Sequence, residues 1–188
     1  MMVLPFDIKT IFSAIMLVGT LCVSTSSVAQ NPNIVDEWED LLPPNLYSFI
    51  PEGGITSELW LDDAFQKKLK DSERATRPEL EGAQVVLAGY MVPLDYEGDQ
   101  VKSFLLVPSA GQCIHVPPPP PNQTIIVNVS GATNMRTYSD PVIVRGAVRV
   151  AVGQTDYAET GYEITSQQIV DFDFDRLEEM VLALGGEQ

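Results

Sequence analysis

The sequence has little positive charge. Its 188 residues include 11 Lys and Arg against 26 Asp and Glu, which gives a formal net charge of -15 at pH 7. A surface this acidic repels phosphate backbones, so nucleic acid is excluded as the expected partner. Aromatic residues are also scarce, at 8%, which leaves few rings to stack on exposed bases. The charge instead favours cationic partners, or divalent ions held by carboxylates.

Cysteine and histidine are nearly absent. The chain has two cysteines, Cys22 and Cys113, and one histidine, His115. Cys22 lies in an N-terminal segment with the features of a cleaved signal, which leaves Cys113 as the one thiol of the mature chain. An internal disulfide is then excluded in an oxidising compartment.

One apolar run, Ile11–Cys22, is long enough to consider as a targeting segment. It follows Lys9 and is followed by the small residues Ser27-Val28-Ala29. This order is typical of a secretory signal peptide, so residues 1–29 are predicted to be removed by cleavage after Ala29. The alternative is an uncleaved membrane anchor, for which the run is short. With no further apolar span, the mature chain is predicted not to be membrane-embedded.

Residues 30–80 are predicted to form a prelude of helices and loops. A first stripe of apolar residues at helical spacing consists of Val35, Trp38, Leu41 and Leu42. Pro43-Pro44 ends that pattern. Ser57–Lys70 predicts a second helix, with Ser57 as the candidate N-cap and lysines in its last turns, where the helix dipole favours them.

Residues 81–188 change to a strand pattern. Five stretches rich in β-branched and apolar residues are predicted as strands: 83–92, 101–107, 124–129, 142–152 and 161–170. Gly89 and Gly146 lie inside the first and fourth of them, which suits the strong coiling of a small barrel. We therefore predict a mainly β fold, a small five-stranded OB-like barrel with a C-terminal helix over 171–184. A β-sandwich is the alternative, but five strands are few for one.

Five short motifs stand out along the mature chain. They are Trp38-Glu39-Asp40-Leu41-Leu42-Pro43, Gly89-Tyr90-Met91-Val92-Pro93-Leu94, Phe104-Leu105-Leu106-Val107-Pro108, Cys113-Ile114-His115 and Pro118-Pro119-Pro120-Pro121-Asn122-Gln123. Together they resemble an uncharacterised family of secreted bacterial proteins, a domain of unknown function. The resemblance covers residues 36–172. It implies a Gram-negative periplasmic setting and gene neighbourhoods with an ABC-type permease and zinc-responsive genes, and it supplies no catalytic residues.

Cys113 and His115 are the candidate metal ligands. In an extended strand, side chains at i and i+2 point to the same side. A thiolate and an imidazole so placed suit Zn²⁺ or Cu⁺. Two ligands do not complete a zinc site, so others would come from a partner or from carboxylates such as Asp95, Glu97 and Asp99. The alternative is a buried thiol that acts as a small hydrophobe beside a hydrogen-bonded histidine.

A thiol enzyme or redox sensor is a further hypothesis for Cys113. A neighbouring His115 would lower the pKa of the thiol and make it a nucleophile. A disulfide oxidoreductase, however, needs a second cysteine, and the sequence shows no group that would orient the histidine.

Pro117–Pro121 predicts a stiff polyproline II rod directly after the Cys-His pair. Such a rod serves as a recognition arm, or as a spacer packed on its own domain. Taken together, these features predict a periplasmic, non-enzymatic accessory protein of a membrane transport system, with zinc as the candidate ligand. Its predicted partner is an inner-membrane ABC-type transporter or another envelope protein. The alternatives are a protein-interaction module built on the proline-rich segment, and the thiol enzyme.

Overall fold

The computed structural model describes residues 34–186. The predicted signal peptide, residues 1–29, lies outside the described residues. The described elements are β1 Ile34–Val35, β2 Gln84–Glu97, β3 Gln100–Val107, β4 Ile125–Asn134, β5 Pro141–Gln154, β6 Glu159–Asp171, α1 Ser57–Trp60, α2 Asp63–Glu73 and α3 Phe174–Gly186. Short 3₁₀ turns occur at Trp38–Leu41, Pro78–Leu80 and Pro121–Gln123.

The predicted five-stranded barrel is confirmed. The strands follow the order β2-β3-β4-β6-β5, and β5 pairs with β2 to close the ring. Strand β4 runs parallel to β6, whereas the other pairings within the ring are antiparallel. This is the Greek-key connectivity of an OB-like barrel, and closure removes the unpaired strand edges that an open sheet would expose. The added strand β1 pairs in parallel with the start of β2.

Side chains alternate between the barrel interior and its outer surface. Val85 and Leu87 on β2 point into the interior, where they pack with Phe104 and Tyr162. Val86, between them, faces outward and belongs to a second cluster, in which α3 covers the barrel with Met180 and Leu184. This period of two is what a strand requires when both of its faces are covered. Among the described helices, none is long and apolar enough to cross a membrane.

Gly146 lies where the pairing of β5 and β6 shifts register. The shift falls between Arg145 and Gly146. A Cβ atom at this glycine would lie 2.4 Å from the carbonyl oxygen of Thr165 on β6. The two backbones therefore approach more closely than any side chain allows, as expected at a bend of a small barrel.

The helical prediction for 35–42 is wrong, and that for 57–70 needs correction. Val35 is buried in β1 because it pairs with Val85, and Trp38–Leu41 forms only one 3₁₀ turn. The stretch 57–70 divides into α1 and α2. Thr56, not Ser57, caps α1, and Asp62 caps α2 by accepting a hydrogen bond from the Phe65 amide at 2.7 Å. A cap inside the stretch starts a new helix there.

Candidate functional site

The long connection between β3 and β4, residues 108–124, carries the candidate site residues. It has two parts with different surroundings. We call residues 109–118 the crossover tip, because most of it is exposed and it holds Cys113 and His115. We call residues 119–124 the proline clamp, because it is largely buried against the prelude and the barrel.

The crossover tip is a tight turn rather than an extended segment. The carbonyl of Gly111 accepts hydrogen bonds from the amides of Ile114, His115 and Val116, at 3.3, 2.8 and 3.3 Å. Cys113 adopts a φ of 64°, a left-handed conformation that is uncommon for residues other than glycine. The backbone of the tip is thus fixed by hydrogen bonds, but the same-side geometry of a strand does not apply.

Cys113 lies half-buried on the outer surface of the barrel. It packs against an apolar cluster that includes Val92 on β2 and Leu105 and Val107 on β3. Burial raises the pKa of the Cys113 thiol above its ordinary value, since the apolar surroundings disfavour the thiolate. The environment therefore favours the neutral thiol over a nucleophile or an anionic metal ligand.

His115 points away from this cluster. It is exposed, and its ring contacts the ring of Tyr138 edge to face, with the centroids 5.0 Å apart. Among the described residues, 34–186, the Cys113 thiol and the His115 imidazole share no hydrogen bond. Within the same part of the chain, no group of three or more His, Cys, Asp or Glu residues is placed to hold a metal ion.

The three carboxylates considered as further ligands lie on the β2–β3 hairpin. Asp95 and Glu97 end β2, and Asp99 is in the turn that follows. Glu97 interacts with Lys102, with nitrogen and oxygen 3.5 Å apart. Cys113, His115 and these acids therefore form no cluster among the described residues, and a metal bound to the tip would need ligands from outside residues 34–186.

Exposed apolar side chains surround His115. Ile114, Val116 and Tyr138 are 48%, 51% and 51% exposed. Apolar side chains grouped at the end of a well-ordered loop are typical of a contact surface for another molecule. The crossover tip and Tyr138 together are thus the strongest candidate for a functional surface in this region.

The surface that OB barrels commonly use for ligands is covered in this chain. That surface is the outer face of the second and third barrel strands, here β3 and β4. Leu105, Val107 and Ile126 on this face pack with Cys113 from the tip and with Ala158 from the β5–β6 hairpin. The crossover tip therefore covers part of this face.

The proline clamp fixes the prelude to the barrel. The Asn122 side chain is fully buried and donates to the carbonyls of Ser72 and Ala75, at 2.9 and 3.1 Å. The Gln123 amide donates to the carbonyl of Trp38 at 2.9 Å. Prolines have no N–H to donate, so the two amide side chains that follow them supply the donors that the segment needs.

Tyr162 holds the same junction from the barrel side. Its hydroxyl donates to the carbonyl of Leu41 at 2.6 Å and accepts from the amide of Arg77 at 2.8 Å. The neighbouring Gly161 permits the close approach, because a Cβ there would lie 3.0 Å from the carbonyl of Pro121. The half of the proline run nearest to Asn122 is therefore structural, as the prediction of a rod packed on its own domain states.

These structural residues were missed when the sequence was taken alone. The five prolines give the signal that could have identified Asn122 and Gln123, since a donor-free segment calls for donors directly after it. Tyr162 carries no such signal, because its partners are backbone atoms 121 and 85 residues away in the sequence.

The family of proteins of unknown function called DUF3299 matches residues 38–171. The chain belongs to this family. The match includes the crossover tip, the proline clamp and Tyr162, and it confirms the resemblance drawn from the motifs. No curated protein matches the chain.

Two solved structures are similar to the chain. The crystal structure of a DUF3299 family protein from Pseudomonas aeruginosa PAO1 is 26% identical, with a TM-score of 0.55; the alignment covers 77% of this chain and 98% of that one. An OBody bound to hen egg-white lysozyme is 19% identical over 51% of this chain and 87% of its own, with a TM-score of 0.33. The second likeness is too weak to carry an argument.

Slow alkylation of Cys113 follows from its burial. We expect a small electrophile to react with the folded protein at pH 7 several-fold more slowly than with the urea-unfolded chain, and the rate to rise only in the alkaline range. Because the pKa is raised on folding, any stability that this thiol contributes is present below the unfolded pKa and is lost as the pH rises through the folded pKa.

The control is His115→Ala, which should leave that rate unchanged, since no described hydrogen bond links the imidazole to the thiol. Rapid labelling at pH 7 that depends on His115 would support the thiol-enzyme hypothesis instead. The measurement is the rate of mass increase of the peptide that contains Cys113.

Proposed function

We propose that the protein is a non-enzymatic accessory protein of the periplasm, which acts by binding an envelope protein through its crossover tip. An inner-membrane ABC-type transporter is the candidate partner. The observation that carries the proposal is the group of half-exposed apolar side chains on a hydrogen-bonded turn: Ile114, Val116 and Tyr138. The N-terminal sequence pattern supports export.

The proline clamp supports a binding role because it limits motion of the tip. Thr124 donates through its hydroxyl to the carbonyls of Pro119 and Pro120, at 3.3 and 3.0 Å. The rod therefore leaves the barrel in a fixed direction. A loop held in its binding conformation loses less conformational entropy when a partner binds, so a small surface gives more affinity.

A photocrosslinking amino acid at position 116 tests this proposal. In cells that produce the protein from its complete coding sequence, we expect one discrete crosslinked product in the periplasmic fraction, with the chain beginning at Gln30. The matched control is the same amino acid at position 152, where Val152 is 77% exposed on β5, outside residues 109–118. No product from position 116, or equal products from both positions, would count against the proposal.

Zinc binding is a second candidate function, with Cys113 and His115 supplying two of the ligands. The observation in its favour is that one hydrogen-bonded turn carries both residues, with the imidazole exposed. The remaining ligands would come from the partner, because structural zinc sites are four-coordinate. Calorimetry with Zn²⁺ should then show weak binding that Cys113→Ser and His115→Ala each abolish. Binding that neither variant changes would remove the tip as the site.

A further inference from the structure

A groove on the helical prelude is open within the part of the chain that the structure describes, residues 34–186. Two adjoining depressions, of about 410 and 330 Å³, share Trp60 at the junction of α1 and α2. We call this surface the helical groove; its main lining residues are Ile55, Trp60, Leu61, Lys67, Leu69 and Lys70. Trp60 is 56% exposed and Leu61 is 82% exposed, so large apolar side chains meet solvent at its centre.

Contacts around α1 and α2 fix the shape of the helical groove. The side-chain amide of Gln66 donates to the carbonyl of Trp60 at 2.9 Å, which joins α1 to α2. Phe65, in the first turn of α2, is buried and packs edge to face on Phe49, with the ring centroids 5.7 Å apart. An aromatic side chain on a fixed backbone loses little entropy on binding and is the usual anchor of an interface.

The groove is lined by charged side chains of both signs. Lys67 and Lys70 of α2 line it together with Glu73, whereas Lys68 lies over the ring of Phe49. Lys67 pairs with Asp71, whereas Lys70 lines the groove and, within residues 34–186, is in no salt bridge. An occupant that combines apolar side chains with carboxylates would match this lining.

The outward side of α3 has the complementary character. Met180 and Leu184 bury the inner side of the helix against the barrel, and Phe174 and Leu182 on the outer side are 77% and 68% exposed. Phe174, Glu178 and Leu182 recur every four residues and form one stripe along the helix. Asp175 and Glu179 are exposed beside it, so the stripe is acidic and apolar.

We propose that the helical groove of one copy binds the outward stripe of α3 of a second copy. The α3 helix of the same chain packs on the barrel through Val86 and Ile143, so it is not the occupant. Two copies with a net charge of -15 each repel at long range, which leaves the lysine-lined groove as a favoured place of contact. An amphipathic helix in an apolar groove is a common mode of recognition.

The contact joins the helical groove of one copy to α3 of another, so each copy can form two such contacts, one through each surface. Contacts of this kind produce rings or chains rather than a twofold dimer. A substitution that disrupts either surface should therefore stop assembly. A copy altered only in the groove and a copy altered only in α3 should still form one contact with each other. This assembly is independent of the crossover tip and goes beyond the proposed function.

Light scattering during gel filtration tests the proposal on protein produced from its complete coding sequence. At about 100 µM, above the dissociation constant of a weak contact, the wild type should exceed the mass of one chain. Trp60→Glu and Leu182→Glu should each be monomeric. An equimolar mixture of the two variants should form dimers, because the intact groove of one still binds the intact α3 of the other.

Val152→Glu is the matched control, since Val152 is 77% exposed and lies on β5; it should leave assembly unchanged. If Trp60→Glu lowers the melting temperature, Lys70→Glu replaces it. A monomeric wild type, or a mixture that stays monomeric, would overturn the proposal. Binding of the monomer to vesicles of anionic lipid, abolished by Trp60→Glu, would assign the groove to a membrane surface instead.

Discussion

Gly146→Ala is expected to destabilise the protein by about 3 kcal/mol, at the upper end of what overpacking usually costs. The new Cβ would lie 2.4 Å from the carbonyl oxygen of Thr165 and 2.8 Å from Cγ2 of Ile164. The first of these atoms belongs to the backbone of β6, so relief requires the strand itself to move. Because β5 pairs with both β2 and β6, the movement would disturb the closure of the barrel.

The free energy of unfolding in urea measures this effect. Gly53→Ala is the control, since a Cβ there would meet nothing within 4 Å. That variant should be unchanged or slightly more stable, because alanine restricts the unfolded chain. Equal stabilities of Gly146→Ala and the wild type would show that β5 and β6 approach less closely than the structure indicates.

Tyr162→Phe is expected to cost about 3 kcal/mol, because it leaves the buried carbonyl of Leu41 and the part-buried amide of Arg77 without their partner. The hydroxyl bonds the carbonyl of Leu41 and the amide of Arg77, and Tyr162 is fully buried. The loss should fall on the junction of prelude and barrel. We therefore expect proteolysis between residues 41 and 77 at urea concentrations at which the barrel is still folded.

Alkaline pH should also destabilise the junction of prelude and barrel. Burial raises the pKa of Tyr162 above its ordinary value of 10.0. Stability that depends on the neutral hydroxyl is present below that value and is lost as the pH rises through the raised pKa, since a phenolate cannot donate to Leu41.

Tyr157→Phe, at a position 50% exposed, is the control for Tyr162→Phe and should change stability by less than about 0.5 kcal/mol. Equal losses for the two variants would contradict the role given to Tyr162.

The barrel could be predicted from the sequence because strand signals are local. The β-branched residues of 83–92, 142–152 and the other stretches, with turn residues between them, mark each strand without knowledge of its neighbours. The prelude could not be predicted in the same way. Val35 has helical spacing to Trp38 and Leu41, but its pairing with Val85, 50 residues away, decides its conformation. Tertiary contacts of this kind override local propensity.

The position of the candidate site in the chain could be predicted from the sequence, but its geometry could not. The sequence places Cys113 and His115 on the long connection between the second and third barrel strands, and this is where the structure has them. It gives no sign that Cys113 adopts a positive φ, because that conformation depends on the hydrogen bonds around Gly111. The proline run could mark Asn122 and Gln123 as donors, but the backbone carbonyls that accept from them are 47 to 85 residues away, and no local pattern indicates those partners.

The central claim is that the crossover tip binds a partner while the proline clamp holds the fold. The most direct measurement is the yield of the crosslinked product from position 116 in two backgrounds, the wild type and Ile114→Glu. We predict that Ile114→Glu lowers the yield at least about tenfold, equivalent to 1.4 kcal/mol of binding, with no change in melting temperature, since Ile114 is 48% exposed. An unchanged yield would contradict the claim.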